Sequence, residues 1–275
     1  MTQTMAAPDQ PGRYVPANGI HIYFEQYGSG EPLLLIHGGT VNHTSWEKHI
    51  PAFAQHYSVI APDSRGHGRT KNPLDTMTYR LLADDMAAFI QALGLDQPLV
   101  CGYSDGGQIG LEMGMSYPHL AKAYVIGAAA FKWNEAYYPA TQSLGMEAPG
   151  SVNFERLERD MPEFVQGLRD SHDVFQGHDY WKSYMLQISK MWLAPLNYSA
   201  EDLKRIGEPA LILVGDRDDF VLMAEQAVEL YRMIPRAELA MVPGSNHYFP
   251  WAKPELFTQL VLDFLLRQSP QSQER

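Results

Sequence analysis

The chain has 275 residues, a formal net charge of −11, 45% hydrophobic and 19% charged residues, and a single cysteine. That length holds one large domain or two small ones around a sizeable core, and no apolar run is long enough to span a bilayer. The acidic balance argues against nucleic acid and anionic membrane surfaces as partners, and mildly against strongly anionic substrates.

Met1 to Pro8 lack the basic start and apolar core of a signal peptide, so a cytoplasmic protein is expected. Tyr14-Val15 and Ile20 to Tyr27 read as opening strands joined around Asn18-Gly19, a hairpin-type turn. Leu33 to Ile36 and Ser58 to Ala61 are short β-rich apolar runs, the pattern of buried parallel strands. Between Thr78 and Leu93 the residues Leu82, Met86, Phe89, Ile90 and Leu93 recur at helical spacing, and Gly94 supplies a stop. Pro98 to Cys101 reads as the end of a buried strand. Cys101 there serves as a small core hydrophobe, and its solitude excludes an intrachain disulfide and fits a reducing compartment. Gly107 to Tyr117 predicts a helix stopped by Pro118, in which Gly106, Gly110 and Gly114 share one face. Each mid-helix glycine costs roughly 1 kcal/mol relative to alanine, so the face is expected to press closely on the sheet.

From Phe131 to Ser199 the strand-helix alternation stops. Helical segments are expected over Asn153 to Arg169 and Tyr180 to Trp192, in a stretch rich in Trp, Tyr and Phe that suggests a mostly apolar or aromatic pocket. Alternation then resumes, with strands over Pro209 to Val214 and Glu238 to Val242, implying a parallel sheet covered on both faces. The last helix runs from Pro254, with Leu256, Leu260, Val261 and Phe264 on one face, and the tail after Arg267 is polar and expected to fray.

The chemistry centres on Gly102-Tyr103-Ser104-Asp105-Gly106. A serine on a sharp strand-to-helix turn with glycines on either side is the setting of a nucleophile elbow. Such a serine needs a base, and the base an orienting carboxylate. In the order Ser, Asp, His, each should follow a later strand. Asp216, Asp218 and Asp219 follow one such strand, and His247 follows the other behind Pro243-Gly244-Ser245-Asn246.

With these motifs in place the chain resembles the α/β-hydrolase superfamily along nearly its full length. Leu33-Leu34-Leu35-Ile36-His37-Gly38-Gly39 is similar to the strand and oxyanion loop of that family. Pro62-Asp63-Ser64-Arg65-Gly66-His67-Gly68-Arg69-Thr70 resembles its second well-known loop. The resemblance implies an α/β-hydrolase fold: a mostly parallel eight-stranded sheet with helices on both faces and a helical cap inserted after strand 6. Residues 1–130 and 200–275 would form the core and 131–199 the cap. The family pattern Gly-x-x-Asp selects Asp218 as the acid, with Asp216 bracing the turn; Leu222 stands where the family often has proline. The resemblance further implies Ser104 as nucleophile, His247 as base, and the N–H groups of Gly39 and Asp105 as oxyanion donors, while His37 and His67 brace their loops.

The activity so implied is a cofactor-independent serine hydrolase acting on a small to medium ester or lactone with an apolar or aromatic group. Alternatives are a carbon–carbon bond hydrolase of vinylogous diketones and a ligand-binding receptor on a hydrolase fold. Dehalogenase and epoxide-hydrolase relatives carry Asp at the elbow position. No cofactor or metal is expected, given the lack of a His-x-x-x-His helix pair or paired cysteines, nor a nucleic-acid or membrane partner; a monomer or homodimer is expected. The Asp105 charge beside Ser104 is expected to discourage anionic acyl groups.

Overall fold

The computed structural model describes residues 10–133, 137–218, 220 and 223–269; Asp219, Leu222, Met1 to Pro8 and the tail from residue 270 lie outside them. β1 (Gln10–Ala17) and β2 (Ile20–Tyr27) form an antiparallel hairpin whose turn residues Asn18 and Gly19 both take positive φ, as a two-residue hairpin loop requires. β3 (Pro32–Ile36), β4 (Ser58–Pro62), β5 (Leu99–Tyr103) and β6 (Ala123–Gly127) follow, each almost entirely buried. β7 (Met146–Ala148) and β8 (Ser151–Val152) pair with each other, and β9 (Ala210–Gly215) and β10 (Ala237–Val242) complete the main sheet.

The main sheet has eight strands in the order β1-β2-β4-β3-β5-β6-β9-β10. β2 runs antiparallel to both neighbours, and every pair from β4 to β10 is parallel. Alternate residues of each strand enter cores on opposite faces. Leu34, Ile36, Val100, Ile126 and Ile212 belong to one, and Leu33, Leu35, Cys101, Val125 and Leu213 to the other.

Helix ends follow local chemistry. The helix Tyr79–Ala92 starts where the Thr78 side chain accepts the Leu81 N–H, and Gly94 follows its end at φ +64°. The elbow helix runs Asp105–Ser116, beginning two residues before the predicted Gly107 because the elbow turn itself supplies its N-cap at Ser104. In the last helix, Pro254–Gln268, the buried face is Phe257, Thr258, Val261, Phe264 and Leu265. Leu256, expected on that face, is exposed.

Of the expected stripe of close-packed glycines, Gly106 presses on the sheet, a Cβ on Gly114 would meet the Ile206 side chain at 3.2 Å, and Gly110 has room. A Cβ on Gly102 would lie 2.0 Å from the Gly106 carbonyl oxygen, one on Gly106 2.0 Å from that of Ile36, and one on Gly107 2.2 Å from that of Gly127. One on Gly110 would find its nearest neighbour at 4.0 Å. Close approach to the sheet is thus confined to the first turn, where the serine is set.

Between β6 and β9 the chain leaves the sheet. An antiparallel bridge between Lys132 and Asn197, flanked by Trp133 N–H to Leu196 O and Tyr198 N–H to Phe131 O, closes the base of this insertion. The helix expected over Asn153 to Arg169 is two, Phe154–Asp160 and Pro162–Leu168. Pro162 has no N–H to continue the first, and it disfavours helical angles at Met161, which sits at φ −136°, ψ 55°. Tyr180–Trp192 is one helix, as expected. The β7–β8 hairpin has strands of three and two residues, too short to leave a periodic signal.

Candidate active site

Four loops meet at the C-terminal edge of the sheet, leaving β3, β5, β9 and β10. Ser104, immediately after β5, has φ 56° and ψ −121°, angles a non-glycine residue adopts only under constraint. Its N–H donates to Gly127 O at 2.9 Å and its carbonyl accepts the Gln108 N–H at 2.9 Å, tying the turn to β6 and to the elbow helix. The absent Cβ atoms of Gly102, Gly106 and Gly107 let these backbones come together.

His247 bridges Ser104 and Asp218. Its Nδ1 lies 2.8 Å from Asp218 Oδ2 and its Nε2 3.0 Å from Ser104 Oγ. A carboxylate can only accept, so Nδ1 carries the proton and Nε2 is free to accept one from the serine hydroxyl. Asp218 is 2% exposed, and its Oδ1 also faces the Phe220 N–H at 3.3 Å. Asp216 points elsewhere: its Oδ1 accepts the Ser245 N–H at 3.0 Å, while Arg217 N–H donates to Ser245 O at 2.9 Å. These bonds lash the acid turn to the histidine turn. Asp219, the third aspartate of the turn, lies outside the described residues.

Gly38 and Gly39 pass beside the serine. A Cβ on Gly38 would lie 3.8 Å from Ser104 Oγ, and one on Gly39 would lie 2.5 Å from Asp105 Oδ2 and 2.7 Å from Trp192 Cζ2. Asp105 opens the elbow helix, so its N–H has no intrahelical acceptor. Its side chain is 7% exposed and is held by neutral donors: Tyr79 Oη at 2.8 Å from Oδ1, and Trp192 Nε1 at 3.1 and 2.9 Å from the two oxygens. Burial pushes its pKa up to about 6, against the opposing pull of the Trp192 and Tyr79 hydrogen bonds.

Behind the loops, His37 Nδ1–H donates to Gly38 O at 2.7 Å and its Nε2 accepts the Ser64 N–H at 2.9 Å. His67 Nδ1–H donates to Arg65 O at 2.9 Å, leaving Nε2 to accept from Tyr184 Oη at 3.0 Å. Burial holds both imidazoles below their ordinary pKa, which keeps them neutral. His43 is the opposite case. Burial alone would lower it, yet hydrogen bonds to Asp63 and Glu25 raise it to about 9.

A cavity of about 570 Å³ opens onto Ser104 and His247, and its walls include the aromatic side chains of Trp133, Tyr137, Phe164, Trp192 and Phe220. Of the residues read from the sequence as nucleophile, base and acid, His247 stands within hydrogen-bond distance of both Ser104 and Asp218, and Gly39 and Asp105 lie beside them. Tyr79, Tyr184 and Trp192 were missed as polar groups of the site. Nothing in the sequence says where a phenol or indole N–H will point. Among the described residues no three His, Cys, Asp or Glu side chains are grouped to hold a metal ion, and no helix is long and apolar enough to cross a membrane.

The sequence model of the Alpha/beta hydrolase family matches residues 33–260. The chain is 27% identical over 278 residues to a 2-hydroxy-6-oxo-6-(2'-aminophenyl)hexa-2,4-dienoic acid hydrolase of Metapseudomonas resinovorans, covering 94% of this chain and 91% of that protein. It is 27% identical over 248 residues to a non-heme haloperoxidase of Rhodococcus erythropolis, covering 84% of this chain and 90% of that one. Among solved structures, a thermophilic esterase from Thermogutta terrifontis superposes with a TM-score of 0.73 at 22% identity, over 94% of this chain and 99% of its own.

Proposed function

Given that the chain belongs to the alpha/beta hydrolase family, we propose that it is a cofactor-independent serine hydrolase of small to medium carboxylic esters or lactones. The observation that carries this reading is the continuous line Ser104 Oγ–His247 Nε2, His247 Nδ1–Asp218 Oδ2, at 3.0 and 2.8 Å, with the serine on a strained elbow. In the proposed reaction Ser104 Oγ attacks the acyl carbon while His247 Nε2 takes its proton. Asp218 holds the tautomer and stabilises the imidazolium. The carbonyl oxygen becomes an oxyanion facing the N–H groups of Gly39 and Asp105. Collapse returns the proton from His247 to the leaving alkoxide and leaves an acyl-enzyme. A water, deprotonated by the same nitrogen, then releases the acid.

Residues 131–199 serve in this reading as a cap over a core of 1–130 and 200–275, and the aromatic walls supply an apolar acyl or alcohol site. A second reading, hydrolysis of a carbon–carbon bond in a vinylogous diketone, is favoured by the Metapseudomonas relative, whose name records such a dienoic acid hydrolase. The test is turnover of p-nitrophenyl esters from acetate to long chains, plus benzoate, by the wild type and Ser104→Ala. Rapid turnover lost in the variant supports the ester hydrolase, and the chain-length profile sizes the pocket. A folded wild type inert toward every ester shifts the reading to carbon–carbon cleavage, a narrow natural substrate or a receptor.

A further inference from the structure

We infer that the Tyr180–Trp192 helix of the insertion braces both arms of the oxyanion hole, through Tyr184 on one and Trp192 on the other. The inference rests on the serine hydrolase reading above. Tyr184 Oη accepts the Thr40 N–H at 2.7 Å, and Thr40 is the residue after the donor Gly39. Thr40 has φ 66°, an uncommon state for a β-branched residue, so its peptide needs an external partner to stay in that orientation. The Tyr184 hydroxyl spends its own proton on His67 Nε2 at 3.0 Å, which leaves its lone pairs for Thr40. His67 is kept to that acceptor role because its Nδ1–H is committed to Arg65 O and because burial holds it neutral. Tyr184 is fully buried, and the His172 ring packs on it with centroids 4.4 Å apart.

The second arm is the N–H of Asp105. Two turns along the same helix, Trp192 Nε1 donates to both Asp105 oxygens, while the edge of its ring lies against Gly39. Residues 184 and 192 lie roughly 12 Å apart along a helix axis, with side chains on one broad stripe. One rigid element thus contacts the residue carrying one donor and the residue after the other. Neither Tyr184 nor Trp192 donates to the reacting atoms themselves, so both are positioning residues. Their effect should fall on the transition state, where the oxyanion exists, and not on substrate binding.

The test uses the full chain with Tyr184→Phe and Trp192→Phe, each checked for folding by circular dichroism. Steady-state kinetics on the best p-nitrophenyl ester is paired with inhibition by a trifluoromethyl ketone of matched size, whose serine adduct carries an alkoxide in the hole. Tyr184→Phe keeps the ring and strands the Thr40 N–H. It is expected to lower kcat roughly tenfold, below the 10²–10³ that loss of a donor itself costs, with KM within about twofold. Ketone affinity should fall by the same factor as kcat. Trp192→Phe tests the other arm independently, should either variant fail to fold. Unchanged kcat in a folded variant, or a rise in KM with ketone affinity intact, overturns the brace and leaves the two residues as wall. A wild type that neither turns over esters nor binds the ketone removes the serine hydrolase reading itself, and the brace with it.

Discussion

The indole N–H of Trp192 donates to both carboxylate oxygens of Asp105, the residue that follows Ser104, at 3.1 and 2.9 Å. With Tyr79 as the other hydrogen-bonding partner, a buried carboxylate is stabilised by neutral donors, and burial raises its pKa to about 6. Above pH 6 the folded protein therefore carries a charge that the unfolded chain holds at lower cost.

The sign of the resulting pH dependence follows. The folded pKa of this acid lies above its unfolded value near 4, so the destabilisation is absent below about pH 4, grows through pH 4 to 6, and is complete above it. Asp105→Asn removes the titration while keeping one acceptor oxygen. Relative to the wild type the variant should gain stability as pH rises from 4.5 to 7.5, by on the order of 2 kcal/mol. Paired thermal melts across that range check it. A difference in Tm that does not change with pH would refute the assignment.

Asp218 and Asp216 lie two residues apart on one turn, yet their partners differ. Asp218→Asn presents an amide where His247 Nδ1–H needs an acceptor, favouring the wrong tautomer, so kcat should fall by about 10⁴ with little loss of stability. Asp216→Asn retains an Oδ1 that can accept the Ser245 N–H, and kcat should stay within about threefold of wild type. Side-by-side kinetics decide it; equal losses would mean the turn, and not the individual carboxylate, is what matters.

The line from sequence to site was legible where backbone chemistry dictates it. Gly102 and Gly106 around Ser104, and the strands that end at Gly215 and Val242, mark where the proposed nucleophile, acid and base sit, and periodicity placed the Tyr79–Ala92 helix within a residue at each end. The rest depends on tertiary contact. Asp218 could be separated from Asp216 only by family resemblance, because both suit the turn and their difference lies in partners 29 residues away. Thr40 meets Tyr184 across 144 residues, and Asp105 meets Trp192 across 87. No local pattern encodes such pairs. One residue of the last helix's expected buried face shows the same limit: Leu256 lies outside and Phe257 inside, while Val261 and Phe264 are buried as expected. Leu256 and Phe257 are adjacent apolar residues, and only the packing against β-sheet neighbours decides which one turns inward.

The glycines of the elbow helix allow a paired test of packing. Gly110 has φ in the ordinary helical range, and a Cβ there meets Tyr124 Cδ1 at 4.0 Å, an ordinary contact. Gly110→Ala should stabilise the fold by about 0.5–1 kcal/mol, since alanine is the better helix former and narrows the unfolded ensemble. Gly107→Ala drives the same methyl to 2.2 Å from the Gly127 carbonyl oxygen, with the helix and β6 both fixed. It should cost about 3 kcal/mol or more and, by displacing the turn that holds Ser104, lower activity in whatever protein still folds. Urea denaturation of the two variants separates these outcomes; similar stabilities would mean the helix slides freely on the sheet.

Asp105 also bears on substrate charge. Asp105 lines the cavity beside Ser104, and at pH 8, about two units above its raised pKa, its carboxylate is ionised. An acyl chain bearing its own carboxylate roughly 6 Å away would meet a repulsion of about 3 kcal/mol at an effective dielectric near 20. Oxyanion development adds negative charge in the same place, so the penalty should fall on kcat as well as on binding. The p-nitrophenyl monoester of a dicarboxylic acid should therefore react with kcat/KM one to two orders of magnitude below a neutral ester of the same length. The gap should narrow in Asp105→Asn, which removes the charge but keeps the main-chain N–H. Equal turnover of the matched pair by the wild type would show that the Trp192 and Tyr79 hydrogen bonds screen the carboxylate from the acyl site.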